Sequence, residues 1–127
     1  MAKVINEKIT IQERGWASHF NGARWCLFRR NTLLEYKDIS IVVSSVGRML
    51  KDTPSGYEFV EIGHNRHFET MVFFADDTKY KDADVSRGSI YTEYLDGVDV
   101  YQEILANDTH DKVVDLMMQK LINNEIK

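Results

Sequence analysis

The hydrophobic periodicity of this sequence changes once along the chain, and that change limits the possible folds more than any other feature. Up to about residue 95 apolar residues alternate with polar ones or form short β-branched runs. Beyond residue 108 they recur at spacings of three and four. A period of two belongs to a half-buried strand and a period near 3.6 to an amphipathic helix. Ile5, Ile9 and Ile11 alternate with Asn6, Lys8, Thr10 and Gln12, which predicts one N-terminal strand. Residues 24–36 and 39–50 predict two more, around a tight Lys37-Asp38 turn. Residues 52–56 (Asp-Thr-Pro-Ser-Gly) hold the only proline and mark a turn. Residues 57–62 and 68–75 predict another strand pair, joined across Gly63-His64-Asn65-Arg66. A polar loop over 76–89 and a short strand over 90–95 complete the β part.

Asp108 or Thr109 is a good N-cap for a helix over 110–124. Its apolar stripe is Val113, Val114, Met117, Met118, Leu121 and Ile122, with Asp111, Lys112, Asp115, Gln119 and Lys120 facing water. A shorter helical piece over 98–106 precedes it. Strands first and helices last predict an α+β fold: an antiparallel sheet of about five to six strands with two C-terminal helices packed on one face. Residues 1–95 are mainly β and 96–127 helical, within one domain spanning 1–127. A chain of 127 residues, 43% of them hydrophobic, can bury a sufficient core without staples.

Composition excludes several classes. With one cysteine, Cys26, there is no intrachain disulfide and no cysteine cluster for zinc. Residues 1–11 lack an apolar signal segment, and no run approaches the ~18 apolar residues of a membrane span. The expectation is a cytoplasmic protein without membrane contact. A net charge of -4 argues against long nucleic acid, which needs basic surface. The charge is uneven, however. Residues 14–30 carry Arg14, Arg24, Arg29 and Arg30 with no acid, whereas acids outnumber bases between Asp76 and Asp115. A local basic patch on an acidic chain suits a small anion.

Four constellations are chemically suggestive. The stretch from Gly15 to Trp25 places Trp16, His19, Phe20, Arg24 and Trp25 between two strands, where binding residues concentrate, although Trp16 and Phe20 also suit core plugs under a crossing loop. In Phe28-Arg29-Arg30-Asn31, strand alternation sends Arg29 to the face of Trp25 and Leu27, and Arg30 to the face of Cys26 and Phe28. One arginine can grip a phosphate in a forked manner while the other meets a subunit or solvent. His64-Asn65-Arg66-His67 is too short of ligands for zinc and reads better as a second anion-contacting edge. The acidic run Asp76, Asp77, Asp82 and Asp84 lacks a calcium loop's glycine and terminal glutamate. It reads as a solvated loop, with Asp84 available to ribose hydroxyls. No phosphate-binding glycine loop, nucleophile elbow or zinc-protease helix motif occurs. Cys26, next to Leu27 and Phe28, reads as a small buried hydrophobe. The chain is therefore expected to bind, with no cofactor and no catalysis.

Glu13-Arg14-Gly15-Trp16-Ala17-x-His19-Phe20, Phe28-Arg29-Arg30-Asn31-Thr32-Leu33-Leu34 and Ile41-Val42-Val43-Ser44-Ser45-Val46-Gly47 resemble the phage Thoeris anti-defence sponge family, with matching segments at 67–71 and 82–86. The resemblance spans most of the chain. It implies sequestration, without cleavage, of a cyclic ADP-ribose isomer and, in some members, of cyclic oligonucleotides. It also implies a homo-oligomer, dimer or higher, with nucleotide pockets between subunits, acting in the host bacterial cytoplasm. On that reading Trp16, Phe20 or Trp25 stacks on adenine, Arg24, Arg29 or Arg30 holds the pyrophosphate, and Asn65, Arg66 and Asp84 contact ribose, with His19 beside them. The alternative is a protein–protein inhibitor of a host defence complex, using the acidic 76–115 surface.

Overall fold

A computed structural model describes residues 2–6, 9–17 and 25–126. The strands are β1 (Ala2–Asn6), β2 (Ile9–Arg14), β3 (Cys26–Tyr36), β4 (Ile39–Thr53), β5 (Gly56–Val60), β6 (Arg66–Phe74) and β7 (Tyr91–Asp96). A 3-10 turn (Val85–Arg87) precedes β7, and one helix, α1 (Glu103–Ile122), follows it. Every ladder is antiparallel. Six strands run in the order β1-β2-β3-β4-β6-β7, and β5 pairs with β4 outside that path. The fold is α+β. No helix among the described residues is long and apolar enough to cross a membrane.

The β3–β4 hairpin closes where Tyr36 pairs with Ile39, leaving Lys37 and Asp38 as its two-residue loop. Lys37 has φ 57, the left-handed geometry that lets a short loop follow the strands' twist. The single N-terminal strand expected from alternation is instead two strands, closed where Asn6 pairs with Ile9. Alternation reports which face a residue occupies and is blind to a reversal of direction. The expected pairing of 57–62 with 68–75 is also replaced. Both β5 and β6 pair with β4, at residues 49–53 and 41–47 respectively. They are successive parts of one interrupted partner strand, and Arg48 of the continuous β4 takes a left-handed backbone (φ 53) opposite the interruption.

The two expected helices are one helix of 20 residues. Asp108 and Thr109 lie inside it, and Thr109 satisfies its hydroxyl by donating to the Leu105 carbonyl at 2.8 Å. Buried Ala106, His110, Val113, Val114, Met117 and Leu121 recur at spacings of three and four straight through the supposed cap. Packing of a continuous stripe thus overrides a local capping preference. Asn124, with φ 59, turns the chain after the helix, and Ile126 returns to the core.

One face of the sheet carries α1. Ile9, Leu34, Tyr36, Ile41, Val43 and Val72 meet Val113, Val114, Met117 and Leu121 there. Nearer the helix start, Phe28 and Phe68 pack edge to face at 5.5 Å against Ala106. On the opposite face Leu33, Val42 and Phe73 are cross-strand neighbours and all buried. Ala17 packs there against Cys26, Val46 and Ile62.

Candidate functional site

Burial alternates along the start of β3, although Cys26 packs against Val46 on one face and Phe28 against Phe68 on the other. Cys26 and Phe28 are buried, whereas Trp25, Leu27 and Arg29 are exposed. Because β4 runs on past the start of β3 to pair with β5, it leaves a groove of about 720 Å³ at this end of the sheet. Trp25, Leu27, Met49, Leu50, Lys51, Asp52 and Tyr57 line it. Trp25 is 56% exposed and Tyr57 72%, so both rings present a face to solvent. Leu27 and Arg29 share a face about 6–7 Å apart. Arg29 forms no ion pair among the described residues, and Lys51 is likewise exposed. The groove is therefore mostly apolar and aromatic, with Lys51 and Asp52 as its charged lining and Arg29 on the adjoining strand, and its size suits a small organic ligand.

Arg30 points the other way and is already occupied. Its guanidinium grips Glu13 at 2.9 and 3.2 Å and meets Asp111 of α1 at 2.8 Å. Burial alone would raise the Glu13 carboxyl, but hydrogen bonds from Arg30 and Thr32 outweigh it and hold Glu13 below the ordinary carboxylate range. Of the two adjacent arginines, Arg29 alone remains for a ligand of this chain.

Beside Arg30 lies a buried polar chain that the sequence reading did not reach, because it treated His110 only as the first residue of a helix. Thr32 Oγ1 donates to Glu13 Oε2 at 2.7 Å, since a carboxylate can only accept. The Thr32 oxygen must then accept from His110 Nε2, 2.8 Å away. A neutral ring leaves Nδ1 as acceptor for the Ser45 hydroxyl at 2.6 Å, and Ser45 in turn accepts from Thr70 at 2.6 Å. One direction of donation, Thr70 to Ser45 to His110 to Thr32 to Glu13, satisfies every member. Burial, and then the nearby Arg30 charge, lower the His110 pKa to about 4, which keeps the ring neutral. The signal that could have revealed it is three hydroxyls, Thr32, Ser45 and Thr70, at inward positions of otherwise apolar strands. Ser45 and His110 are both fully buried, so this hydroxyl–imidazole pair offers a substrate no surface. It pins α1 to the sheet.

The remaining candidate residues scatter. Trp16 lies at the end of β2 under the Arg14 guanidinium, 4.7 Å from its ring centroid. Arg14 itself is fixed by Asn31 at 2.7 Å and the Lys81 carbonyl at 3.1 Å. Arg66 stacks on Tyr94 at 3.9 Å and pairs with Glu69 at 3.3 Å and Asp96 at 3.6 Å. Asn65 occupies a left-handed turn, φ 55, and its carbonyl accepts from Gly97 N–H at 2.8 Å. Asp84 caps the 3-10 turn by accepting from Ser86 N–H at 3.2 Å. Its backbone is held to Phe74, which pairs with Ile41 and so lies level with Leu34. Leu34 is eight positions from Cys26, about 26 Å along the strand at ~3.3 Å per residue. Asp84 and Trp25 therefore sit at opposite ends of one chain's sheet. His19, Phe20 and Arg24 lie outside the described residues. No group of three or more histidine, cysteine or carboxylate side chains placed to hold a metal occurs among the described residues.

Cys26 is 1% exposed, and burial raises its pKa to about 11. Its thiol is expected to resist a disulfide reagent at pH 8 in the native protein and to react stoichiometrically once guanidinium unfolds it. Rapid labelling of the native state would contradict the assigned burial.

The chain matches no protein-family model, and no curated protein or solved structure matches it. What the geometry offers is a ligand-sized aromatic groove and a hydroxyl–imidazole pair sealed in the core.

Proposed function

We propose that this chain is a non-catalytic binding protein for a small phosphorylated nucleotide. The narrower reading, supported by the resemblance over residues 13–20, 28–34 and 41–47, is a phage-type anti-defence sponge that holds a cyclic ADP-ribose-type signal uncleaved in the cytoplasm. The observation that carries the proposal is the groove between exposed Trp25 and Tyr57, with Lys51 at its wall and Arg29 on the adjoining strand face. The rings supply stacking surfaces for a base and the cations supply charge for phosphate. Stacking is worth about 1–3 kcal/mol per base and a charged hydrogen bond about 1.5–3 kcal/mol. Two of each give roughly 5–12 kcal/mol before ordering costs, against the ~8 kcal/mol of micromolar binding. Ordering costs consume much of that sum, which favours self-association, with a second subunit closing the groove and adding contacts.

Trp25→Ala tests the assignment, because Trp25 is exposed and its loss leaves the core intact. Calorimetric affinity for a cyclic ADP-ribose isomer is expected to fall about 5- to 150-fold, the equivalent of ~1–3 kcal/mol of stacking. Arg29→Gln is expected to weaken binding and flatten its salt dependence. Unchanged affinity in both variants would move the site away from this groove.

A further inference from the structure

We propose that the outer face of α1 is a docking surface for a cationic amphipathic segment of another protein. This surface is separate from the groove and does not depend on the nucleotide reading. The helix buries Ala106, His110, Val113, Val114, Met117 and Leu121, so at 100° per residue Ile104, Leu105, Asp108, Lys112, Asp115 and Leu116 fall on the opposite arc. At its start the arc is apolar. Tyr101, in the turn just before the helix, is 74% exposed, and Ile104 and Leu105 in its first turn are 70% and 41% exposed, a cluster of apolar surface that a partner's apolar side chains can cover. The patch is also braced from below. Phe59 of β5 meets Tyr101 edge to face at 6.2 Å, and Arg48 holds Glu103 at 2.9 Å.

Charge selects the partner. Asp111 is engaged by Arg30, but Asp108 and Asp115 are exposed and form no ion pair among the described residues. Lys112 is the one base on the arc between them. Apolar anchors followed by unpaired carboxylates complement a segment that carries apolar side chains flanked by lysine or arginine, and repel an acidic one. A second copy of this acidic chain, presenting the same face, would bring like charges together.

The test uses an 18-residue Leu/Lys peptide with leucines at helical spacing, and a Leu/Glu peptide with the same leucines. Calorimetry on the full chain is expected to show binding of the first and none of the second. Ile104→Ser should weaken the first by at least fivefold, and Asp108→Asn with Asp115→Asn by a similar factor that vanishes in high salt. Circular dichroism checks that both variants keep their helix. Equal binding of both peptides, or an affinity that Ile104→Ser leaves unchanged, overturns the proposal. So does a wild-type dimer in sedimentation that Ile104→Ser dissolves, because a second copy would then occupy the face.

Discussion

Replacing His110 by leucine is expected to cost the fold about 2–4 kcal/mol, although leucine is apolar, similar in size and a better helix former. The substitution leaves the Thr32 and Ser45 hydroxyls each short of a partner in a site closed to water, and each such loss costs about 1–3 kcal/mol. The pH response supplies a second, more diagnostic readout. His110 is held neutral with a pKa of about 4, against 6.5 for the unperturbed ring. Between those values the unfolded chain binds a proton that the native protein refuses, so native stability falls as pH falls through this window. The wild-type protein is expected to lose roughly 2 kcal/mol between pH 7 and pH 5, at ~1.4 kcal/mol per unit below 6.5. In His110→Leu that share of the loss should be absent, leaving the smaller fall from carboxylates that begin to titrate near pH 5. Urea unfolding at pH 7, 6 and 5 for both proteins checks the difference, and parallel slopes would contradict a buried neutral imidazole.

The second large effect is expected at Gly47. This residue pairs with Phe28 on one side and Phe68 on the other in the middle of the sheet. A Cβ built there falls 2.1 Å from Phe68 Cδ1 and 2.7 Å from the His67 carbonyl oxygen. Phe68 is fully buried between Phe28 and Ala106, and the carbonyl belongs to the strand backbone, so neither can retreat cheaply. Gly47→Ala is therefore expected to cost about 3 kcal/mol or more, at the upper end of overpacking effects. Gly63 provides the contrast. The atoms nearest its added Cβ all belong to the end of the Arg66 side chain, at 2.4–2.7 Å, which can shift without moving backbone but must loosen its contacts with Tyr94 and buried Glu69 to do so. Gly63→Ala should therefore cost less than Gly47→Ala. Thermal melts of the two variants decide the matter, and equal losses would place the Gly47 contact elsewhere.

Much of the fold was legible in the sequence because side-chain period reports burial directly. The β3 and β4 strands, the Lys37-Asp38 turn and the apolar stripe of α1 all follow from it. The parity argument places Arg30 correctly on the α1 face, where Glu13 and Asp111 consume it, but it fails at Cys26, which packs with Val46 and Ile62 on the opposite face from Phe28. Reversals and partners were not legible, because period two is the same on either side of a hairpin. Hence one expected N-terminal strand became β1 and β2, and β5 found β4 instead of β6. The helix start was misplaced for a different reason. Asp108-Thr109 is a good cap only for a helix that begins there, and buried Ala106 extends the stripe back through it. Of the expected binding residues Trp25 and Arg29 lie at or beside the groove, but Tyr57 and Lys51 were absent from the list. They come from a hairpin tip that appears polar in sequence and is brought to Trp25 only by the overrun of β4.

The most direct test of non-catalytic binding is the fate of the ligand. Protein incubated with a cyclic ADP-ribose isomer is separated from free ligand, heat-denatured, and the released small molecule is identified by mass spectrometry. The account predicts the intact cyclic nucleotide, in an amount limited by the protein present. A linear or hydrolysed product accumulating beyond one equivalent per chain would contradict it and make the protein an enzyme.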